Sequence, residues 1–572
     1  MSTSNPTRFK ATVKGALAMA GIGALALTGC TPSGAKESSG TPVVTVQVVK
    51  DARTKAMAEL PWTKDLEAAC GCTIEWQETA SSSWTQQKQA SLAAGEVADV
   101  TIGGYGSGDW GDYNSLFLDL APELGSMPNL AATFEKAPYA RVSSEWDGKV
   151  FGAPGVNTGL MANSSAHMFI NKQWLDELKL PVPETWDELK STLEAFKSKD
   201  PNGNGKADEV PLDFMAPETG GWGWFNPNVL LGSFGLPLSA GGGAGSGMYA
   251  QDGKIQNYLT DPSYKEFISY LGELWEAGVI SKDAFTHDFS KYISGLKGQG
   301  KTATVGMTFW WTPSDAFGSK LADQYIALPA LKVDSGSDAP RTWWFNGDSL
   351  NYIPNKISVA ANVKEKEAAL KIVDAFYTSN IGIQARYGSF DVGVKKNGEK
   401  DYTVLPPADE TKNASDWQFQ NSLSDGAPGW FVQPGVKLTL PAEQFEVRVV
   451  EEVYEQDIAN IDLNSDVIYG GVSFTADEAR EYSLNDTGIT QTAMSKFAQW
   501  VTKGGIDAEW DGYVKDLERN NLKRQIELQQ AAYDRYLQVM QEKNVDLNAE
   551  LNPELTFAEN ADGTATISNE SK

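Results

Sequence analysis

The stretch VVTVQVVKD, residues 43–51, alternates β-branched residues with polar ones and reads as a strand. The chain after it keeps changing period. KAMAELPWTKDLEAACG (55–71) has helical apolar spacing, started or interrupted near Pro61; CTIEWQET (72–79) is a second strand. SWTQQKQASLAAGE (83–96) is a second helix and ADVTIGG (98–104) a third strand. A β-α-β-α-β order demands a mainly parallel sheet with right-handed crossovers, and such sheets take ligands outside the carboxyl ends of their strands. The residues just past those ends are DART (51–54), TASSSW (79–84) and YGSGDWGDY (105–113).

Upstream, Arg8, Lys10 and Lys14 precede ALAMAGIGALALTG (16–29), an apolar run too short for a stable membrane span. LTGC (27–30) follows the pattern of small residues before a cysteine and resembles the lipobox of bacterial lipoproteins. That resemblance implies removal of residues 1–29 and a diacylglycerol on the Cys30 sulfur; an ordinary secretory signal cut nearby is the alternative. TPSGAKESSGTP (31–42) buries too little apolar surface to fold, so 30–42 reads as a flexible tether. No later apolar run reaches the roughly 20 residues of a membrane helix. The lipid is therefore the expected anchor, on the extracellular face of the cytoplasmic membrane of a Gram-positive bacterium.

The net charge is −27 and becomes −30 without residues 1–29, which carry three positive charges and no negative ones. Such a surface repels phosphate backbones and anionic headgroups, which argues against nucleic acid as a partner. Only two histidines occur, His167 and His287, so histidine-built metal sites and triads have few parts to draw on. Cys70 and Cys72 stand too close in sequence for an unstrained bridge and are expected as small core residues, with a tight redox pair as the alternative. About 540 residues exceed what one core organises, so two lobes are expected. The division expected is a first lobe over 43–165, a second over 166–345, crossing and return segments over 346–430, a helical region over 431–552 completing the lobes, and a loose polar tail, 553–572.

SSEWDGKVFGAPGVNTG (143–159) sets Asp147-Gly148 between short extended pieces, a hairpin pattern. Thr185, followed by Glu188, is a capping box opening a helix that leads into KSKDPNGNGKADEVPLDF (197–214). SYKEFISYLGELWEAGV (263–279) reads as a helix, TATVGMTFWW (302–311) as a strand, and ISVAANVKEKEAALKIVDAFYTSNIGIQARYG (357–388) as a strand, a turn and one long amphipathic helix. Residues 490–505 and 507–543 carry apolar residues at helical spacing.

Taken in order, the lipobox, FGAP (151–154), FINKQWLDELKLPVPETWDELKSTLEAFKSKDPNGNGKADEVPL (169–212), VGMTFWW (305–311), the 357–388 segment and a helical C-terminus ending AAYDRYLQ (531–538) resemble the extracellular solute-binding proteins, family 1, of carbohydrate ABC transporters. The likeness is closest to the larger oligosaccharide-binding members. It implies a type II periplasmic-binding-protein-like α/β fold, two lobes joined by crossing segments that close on a sugar. It also implies delivery to ABC permease subunits and a monomeric state.

The residues support that role independently. Sugar rings present C–H faces that pack on aromatic rings and hydroxyls that need hydrogen-bond partners. GGWGWFNPN (Trp222, Trp224), FWWTPSD (Trp310, Trp311), RTWWFNGD (Trp343, Trp344) and DGAPGWF (Trp430) join aromatics to Gly, Pro, Asn or Asp. Adjacent residues of a strand point to opposite faces, so one member of each Trp pair is expected in the core. Trp84 and Trp110, past the second and third strands, are first-lobe candidates, whereas Trp174 and Trp186 occupy helical packing positions. Polar candidates are Arg53, Gln86, Asp109, Asn157, Asn346 and Asp348.

DPNGNGKADE places oxygens at Asp200, Asn202 and Asn204, a glycine at the sixth position, the Lys206 carbonyl, and carboxylates at Asp208 and Glu209. This matches the first half of an EF-hand loop and suits calcium, which takes six to eight oxygens. It then departs: the twelfth position is Pro211, and no exiting helix follows. A loop without its second helix has nothing to open, so a structural ion rather than a sensor is expected. Family members with this pattern hold a structural calcium there, which the resemblance carries onto these six residues.

Two other functions compete. A glycoside hydrolase needs two carboxylates roughly 5–10 Å apart, which 75 acidic residues neither display nor exclude, but no hydrolase signature accompanies them. A two-lobed binder of a peptide or a metal complex is the other. The aromatic loops favour a neutral sugar, and the chain reads as a binder and not an enzyme.

Overall fold

The structure, a computed structural model, describes residues 40–157, 163–217, 225–242, 245–337, 339–409, 411–551 and 555–569. Trp222, Trp224 and Cys30 lie outside them. Alternation sets the first strand, Val43–Lys50: Val44, Val46 and Val48 are fully buried while their neighbours reach solvent. It pairs in parallel with Thr73–Ala80 and Val100–Ile102. Helices Trp62–Cys70 and Ser81–Ala94 make the crossovers, each stopped by a glycine in the left-handed region, Gly71 at φ 64° and Gly95 at φ 69°.

Later chain completes this sheet, in the order 429–430, 152–156, 352–359, 100–102, 43–50, 73–80. Tyr352–Val359 runs antiparallel to its neighbours, so its amino end shares an edge with the carboxyl ends of the other five strands. A second, four-stranded sheet has the order 325–327, 167–171, 305–310, 210–212. There Val305–Trp310 is parallel to Val210–Leu212 and antiparallel to His167–Asn171, pairing Trp310 with His167. The chain passes from the first sheet to the second within 157–166, returns within 328–351 and leaves again after Trp430.

Segment 346–430 does more than cross. It supplies strands of the first sheet and helices Lys366–Ala375 and Ser379–Tyr387. The Trp62 N–H donates to Ser389 Oγ at 3.0 Å and the Trp62 ring meets Phe376 edge-on at 6.0 Å. These are two helices and not one long one, because the Thr378 hydroxyl accepts from the Ile381 N–H at 3.4 Å and starts the second. Asp147 (φ 50°) and Gly148 (φ 73°) turn the expected hairpin between Glu145–Trp146 and Lys149–Val150. The Thr185 hydroxyl caps Trp186–Ser198 as expected, but Glu188 reaches back to the Glu184 N–H, one residue early. Trp174 and Trp186 are packing residues: Trp174 lies edge-on to Phe196 at 5.2 Å and Trp186 stacks on Tyr270 at 4.6 Å.

Two expectations fail. The last residues are not a loose tail: Leu555–Glu559 and Ala565–Asn569 pair antiparallel and extend a five-stranded sheet through Lys437–Leu440. Ala565 and Ile567 are buried at alternate positions, a period hidden by the polar composition of the segment. Cys70 and Cys72 are buried in the core as expected, but they also form a disulfide, contrary to what their sequence spacing implied. The left-handed Gly71 between them brings their Cα atoms to 5.2 Å, inside the range a bridge needs. Sequence separation alone hid that turn. A three-residue loop gives a small entropic gain, so the Cys70→Ser, Cys72→Ser double variant should lose only about 1–2 kcal/mol in urea unfolding. A loss above about 4 kcal/mol would show that the bridge organises more than its own turn.

Candidate functional site

The shared edge of the first sheet holds the residues predicted from strand order. Past the first strand, Arg53 is exposed and pinned: its Nε donates to Asp51 at 2.9 Å, its Nη1 to Asp416 at 2.8 Å, and its guanidinium lies 4.0 Å over the Phe419 ring. Arg53 holds the Asp51 carboxyl below the usual carboxylate range. Past the second, Trp84 is buried, with its indole N–H donating to the Gly104 carbonyl at 2.7 Å, while Gln86 is exposed. Past the third, Asp109 accepts from the Gly106 N–H at 2.9 Å and pairs with Lys88 at 2.9 Å. Trp110 is enclosed against Phe117 and Phe151, at 4.8 and 5.6 Å. A depression of about 440 Å³ opens here, lined among others by Lys88, Tyr105, Asp109, Asn355 and Lys356. Trp430, on the outer strand Gly429–Trp430, is buried.

The second sheet presents aromatic faces at its corresponding edge. Trp310 stacks on Phe225 at 4.1 Å and its indole N–H donates to Asp315 at 2.6 Å. Phe289 stacks on Trp310 at 5.9 Å. Trp311, on the opposite face, is half-buried, and its carbonyl lies 2.8 Å from His167 Nδ1. Burial lowers the His167 ring to about 4, so the imidazole is neutral at physiological pH. Trp343 is sandwiched on Tyr454 at 4.1 Å and donates its indole N–H to the Ala166 carbonyl at 2.8 Å. Trp344 is buried, and its indole N–H has no partner among the described residues.

The other three polar candidates, Asn157, Asn346 and Asp348, lie at the crossings. Asn157 donates from its backbone to the Asn351 carbonyl at 2.7 Å and from Nδ2 to the Leu350 carbonyl at 3.3 Å, and its enclosed Oδ1 has no partner among the described residues. Asn346 Oδ1 accepts from the Ser165 N–H at 2.8 Å, which joins the first crossing to the second. Asp348 accepts from the Gly470 N–H at 3.1 Å. Asn346 and Asp348 thus brace the crossings.

At 200–209 the backbone turns through Asp200 (φ 45°), Gly203 (φ 67°) and Gly205 (φ 73°). Asp200 accepts from the Asn204 and Gly205 N–H groups at 3.2 and 3.0 Å. Asn202 and Asn204 turn their amide nitrogens onto Asp208, at 3.1 and 2.9 Å, which holds that carboxyl below its usual range. Glu209 is pushed up by burial and by the carboxylates of Asp200 and Asp208, and its Oε1 is enclosed without a partner. Among the described residues no three or more acidic, His or Cys side chains converge at metal-ligand spacing. The donor set nevertheless fits a hard cation. Every group is an oxygen ligand once the two amides make a half-turn, and the crowded carboxylates and orphaned oxygen are what an added positive charge relieves.

Residues that sequence reading passed over include Phe225, Phe289 and Phe419, each stacked on a predicted candidate, and Lys88, Asn355 and Lys356 in the depression. Asn355 lies within Tyr352–Val359 at φ 60°, next to the register shift between Ile353 and Ile357, so PNK (354–356) is an irregularity that a strand pattern conceals.

Residues 51–380 match the family described as bacterial extracellular solute-binding protein. The match spans more than half of the chain, and the chain belongs to this family. A solved HMO-binding, ABC-transporter-associated solute-binding protein from Bifidobacterium longum infantis ATCC 15697 superposes with a TM-score of 0.80 at 34% identity, covering 87% of this chain and 100% of that one. The fructooligosaccharide ABC transporter substrate-binding protein FusA of Streptococcus pneumoniae serotype 4 is 27% identical over 494 residues, 82% of this chain and 86% of its own. An EF-hand mutant of S. pneumoniae FusA in complex with fructo-nystose shares the fold at a TM-score of 0.69 and 23% identity, covering 87% of this chain and 100% of that one. The two-lobed α/β architecture with a helical C-terminal region is thus the one expected from the sequence. Among the described residues no helix is long and apolar enough to cross a membrane.

Proposed function

We propose that this protein captures an oligosaccharide between its two lobes outside the cell and delivers it to the permease subunits of an ABC importer, without chemical turnover. The observation that supports this most is the presence at the sheet edges of packed aromatic rings, stacked at Trp310–Phe225 and edge-on at Trp84–Tyr105, with enclosed polar atoms of Asn157 and Trp344 that have no partner among the described residues. Sugars offer the complement to both. The names of two relatives carry the same ligand class, HMO for one and fructooligosaccharide for the other.

In this reading Trp311, Trp344, Trp430, Asn157 and Arg53 face the ligand, while Trp310, Trp343, Trp84 and Trp110 stiffen the walls behind them. Trp222 and Trp224 remain ligand candidates on the sequence pattern alone. Loop 200–209 holds a structural calcium through Asp200, Asn202, Asn204, the Lys206 carbonyl, Asp208 and Glu209. Cys30 carries the lipid that keeps a monomeric protein at the outer membrane face.

Titration of intrinsic tryptophan fluorescence with kestose, lactose-based, malto-, xylo- and galacturono-oligosaccharides, followed by chromatography of the sugar, tests the reading. The expected result is a saturable change with at least one sugar and full recovery of that sugar. Hydrolysis products would support a glycosidase instead, and a response confined to peptides would support a peptide binder.

A further inference from the structure

Buried carboxylates sit where the chain passes between the sheets. Glu451, ending helix Ala442–Glu451, accepts from the Ser164 N–H at 2.5 Å and from the Asn163 N–H, both in the first crossing. Asp348, on the helical turn Gly347–Asn351 of the second crossing, accepts from the Gly470 N–H. Glu550, ending Leu547–Glu550, accepts from the Tyr139 N–H at 3.1 Å and the Tyr352 O–H at 3.2 Å. It thereby ties the C-terminal region to the first lobe and to the strand that leaves the second crossing.

The surroundings of these groups are short of positive charge. Glu451 faces Arg448 at 3.7 Å and also Glu455. Asp348 faces the phenols of Tyr139, Tyr469 and Tyr536, with no cation beside it among the described residues. Glu550 faces Tyr139, Tyr352, Tyr536 and Asp546. The phenols form one cluster: the Tyr536 O–H donates to the Tyr139 hydroxyl at 2.7 Å, and Tyr139 meets Tyr352 edge-on at 5.0 Å and Tyr469 at 5.7 Å. It joins the first lobe, the second crossing and the C-terminal helices. A charge in such a cluster costs more than its hydrogen bonds return.

We propose that Asp348, Glu451 and Glu550 make the crossings a proton-operated brace: protonated, they hold the segments between the lobes, and ionised, they loosen them, so that lobe opening becomes easier from mildly acidic to neutral pH. Burial pushes Asp348 up to about 6 and Glu451 and Glu550 up to about 7. Carboxyls raised in the folded state stabilise it below their unfolded values, and that contribution is lost as pH rises through about 6–7. The inference rests on the two-lobed architecture and on no particular solute.

Hydrogen exchange of the sugar-free protein, corrected for intrinsic rates, tests it at about pH 5 and about pH 8. Protection of peptides covering 163–166, 347–352 and 469–471 should fall at least about tenfold at the higher pH, and that of Val43–Lys50 should not. Asp348→Asn, Glu451→Gln and Glu550→Gln each keep an acceptor oxygen and should flatten the response in the crossing they touch. Flat wild-type protection overturns the proposal even if a variant fails to fold, and so does a full response retained in all three variants. Because no sugar is present, failure of the carbohydrate reading and failure of the brace are separate outcomes.

Discussion

Chelating divalent cations should lower the thermal midpoint of this protein by about 5–10 °C while leaving the solute affinity of the folded protein nearly unchanged. An ion present at about a hundred times its dissociation constant stabilises by about 2.7 kcal/mol, and each kcal/mol moves the midpoint of a unit of 150–250 residues by about 2–4 °C. The second lobe expected from the sequence, 166–345, is a span of that order. Loop 200–209 joins helix Trp186–Ser198 to strand Val210–Leu212, so the ion would fix a corner between two packed elements. The strand enters the sheet at the loop and leaves it at Asp213, on the edge where the solute is proposed to bind. The proposed ion and solute sites are thus at opposite ends of one strand, and Pro211 stands where a sensor would place its closing glutamate. Without the ion, raised Glu209 contributes stability at low pH that is lost as pH rises through its folded pKa. Calcium, by holding the carboxylate ionised, removes that loss, so the EGTA effect should grow with pH. Asp200→Ala should melt early and ignore EGTA. A midpoint indifferent to EGTA would rule the calcium out.

How much of this was legible in the sequence depends on the range of the interaction. Period alone placed Val43–Lys50, Thr73–Ala80 and Val100–Ile102, because burial on one or both faces of a strand leaves its mark residue by residue. Caps placed the start of Trp186–Ser198 for the same reason, since Thr185 acts within one turn. What escaped was set by a single backbone angle or by a distant partner. Gly71 in the left-handed region makes the Cys70–Cys72 bridge possible, and no pattern of side chains announces it. Ala565–Asn569 is a strand because Lys437–Leu440 lies beside it, more than a hundred residues earlier. Asn346 and Asp348 have side chains that suit contact with a sugar hydroxyl. Their partners, Ser165 and Gly470, come from other segments, so only the fold shows them as braces.

If the two tryptophan pairs divide packing from the proposed recognition, the division should appear as opposite phenotypes within one dipeptide. Trp343 stacks fully on Tyr454 and spends its indole N–H on the Ala166 carbonyl, so Trp343→Ala removes a large core side chain and one of the two hydrogen bonds to that buried carbonyl, which the Ser164 hydroxyl also reaches at 3.2 Å. A loss of about 3–5 kcal/mol in urea unfolding is expected. Trp344 is also buried, but its indole N–H has no partner among the described residues. Trp344→Phe retains an aromatic face and deletes that N–H, so stability should hold or rise slightly, whereas calorimetric affinity for the bound oligosaccharide should fall about tenfold. Trp311→Ala should likewise weaken binding more than folding, because Trp311 is only half-buried beside the fully stacked Trp310. The alternative is that Trp344 is simply an unsatisfied core residue. In that case Trp344→Phe would bind sugar as tightly as the parent protein, and the ligand-facing role assigned to the second pair would pass to the glycine-flanked tryptophans, Trp222 and Trp224.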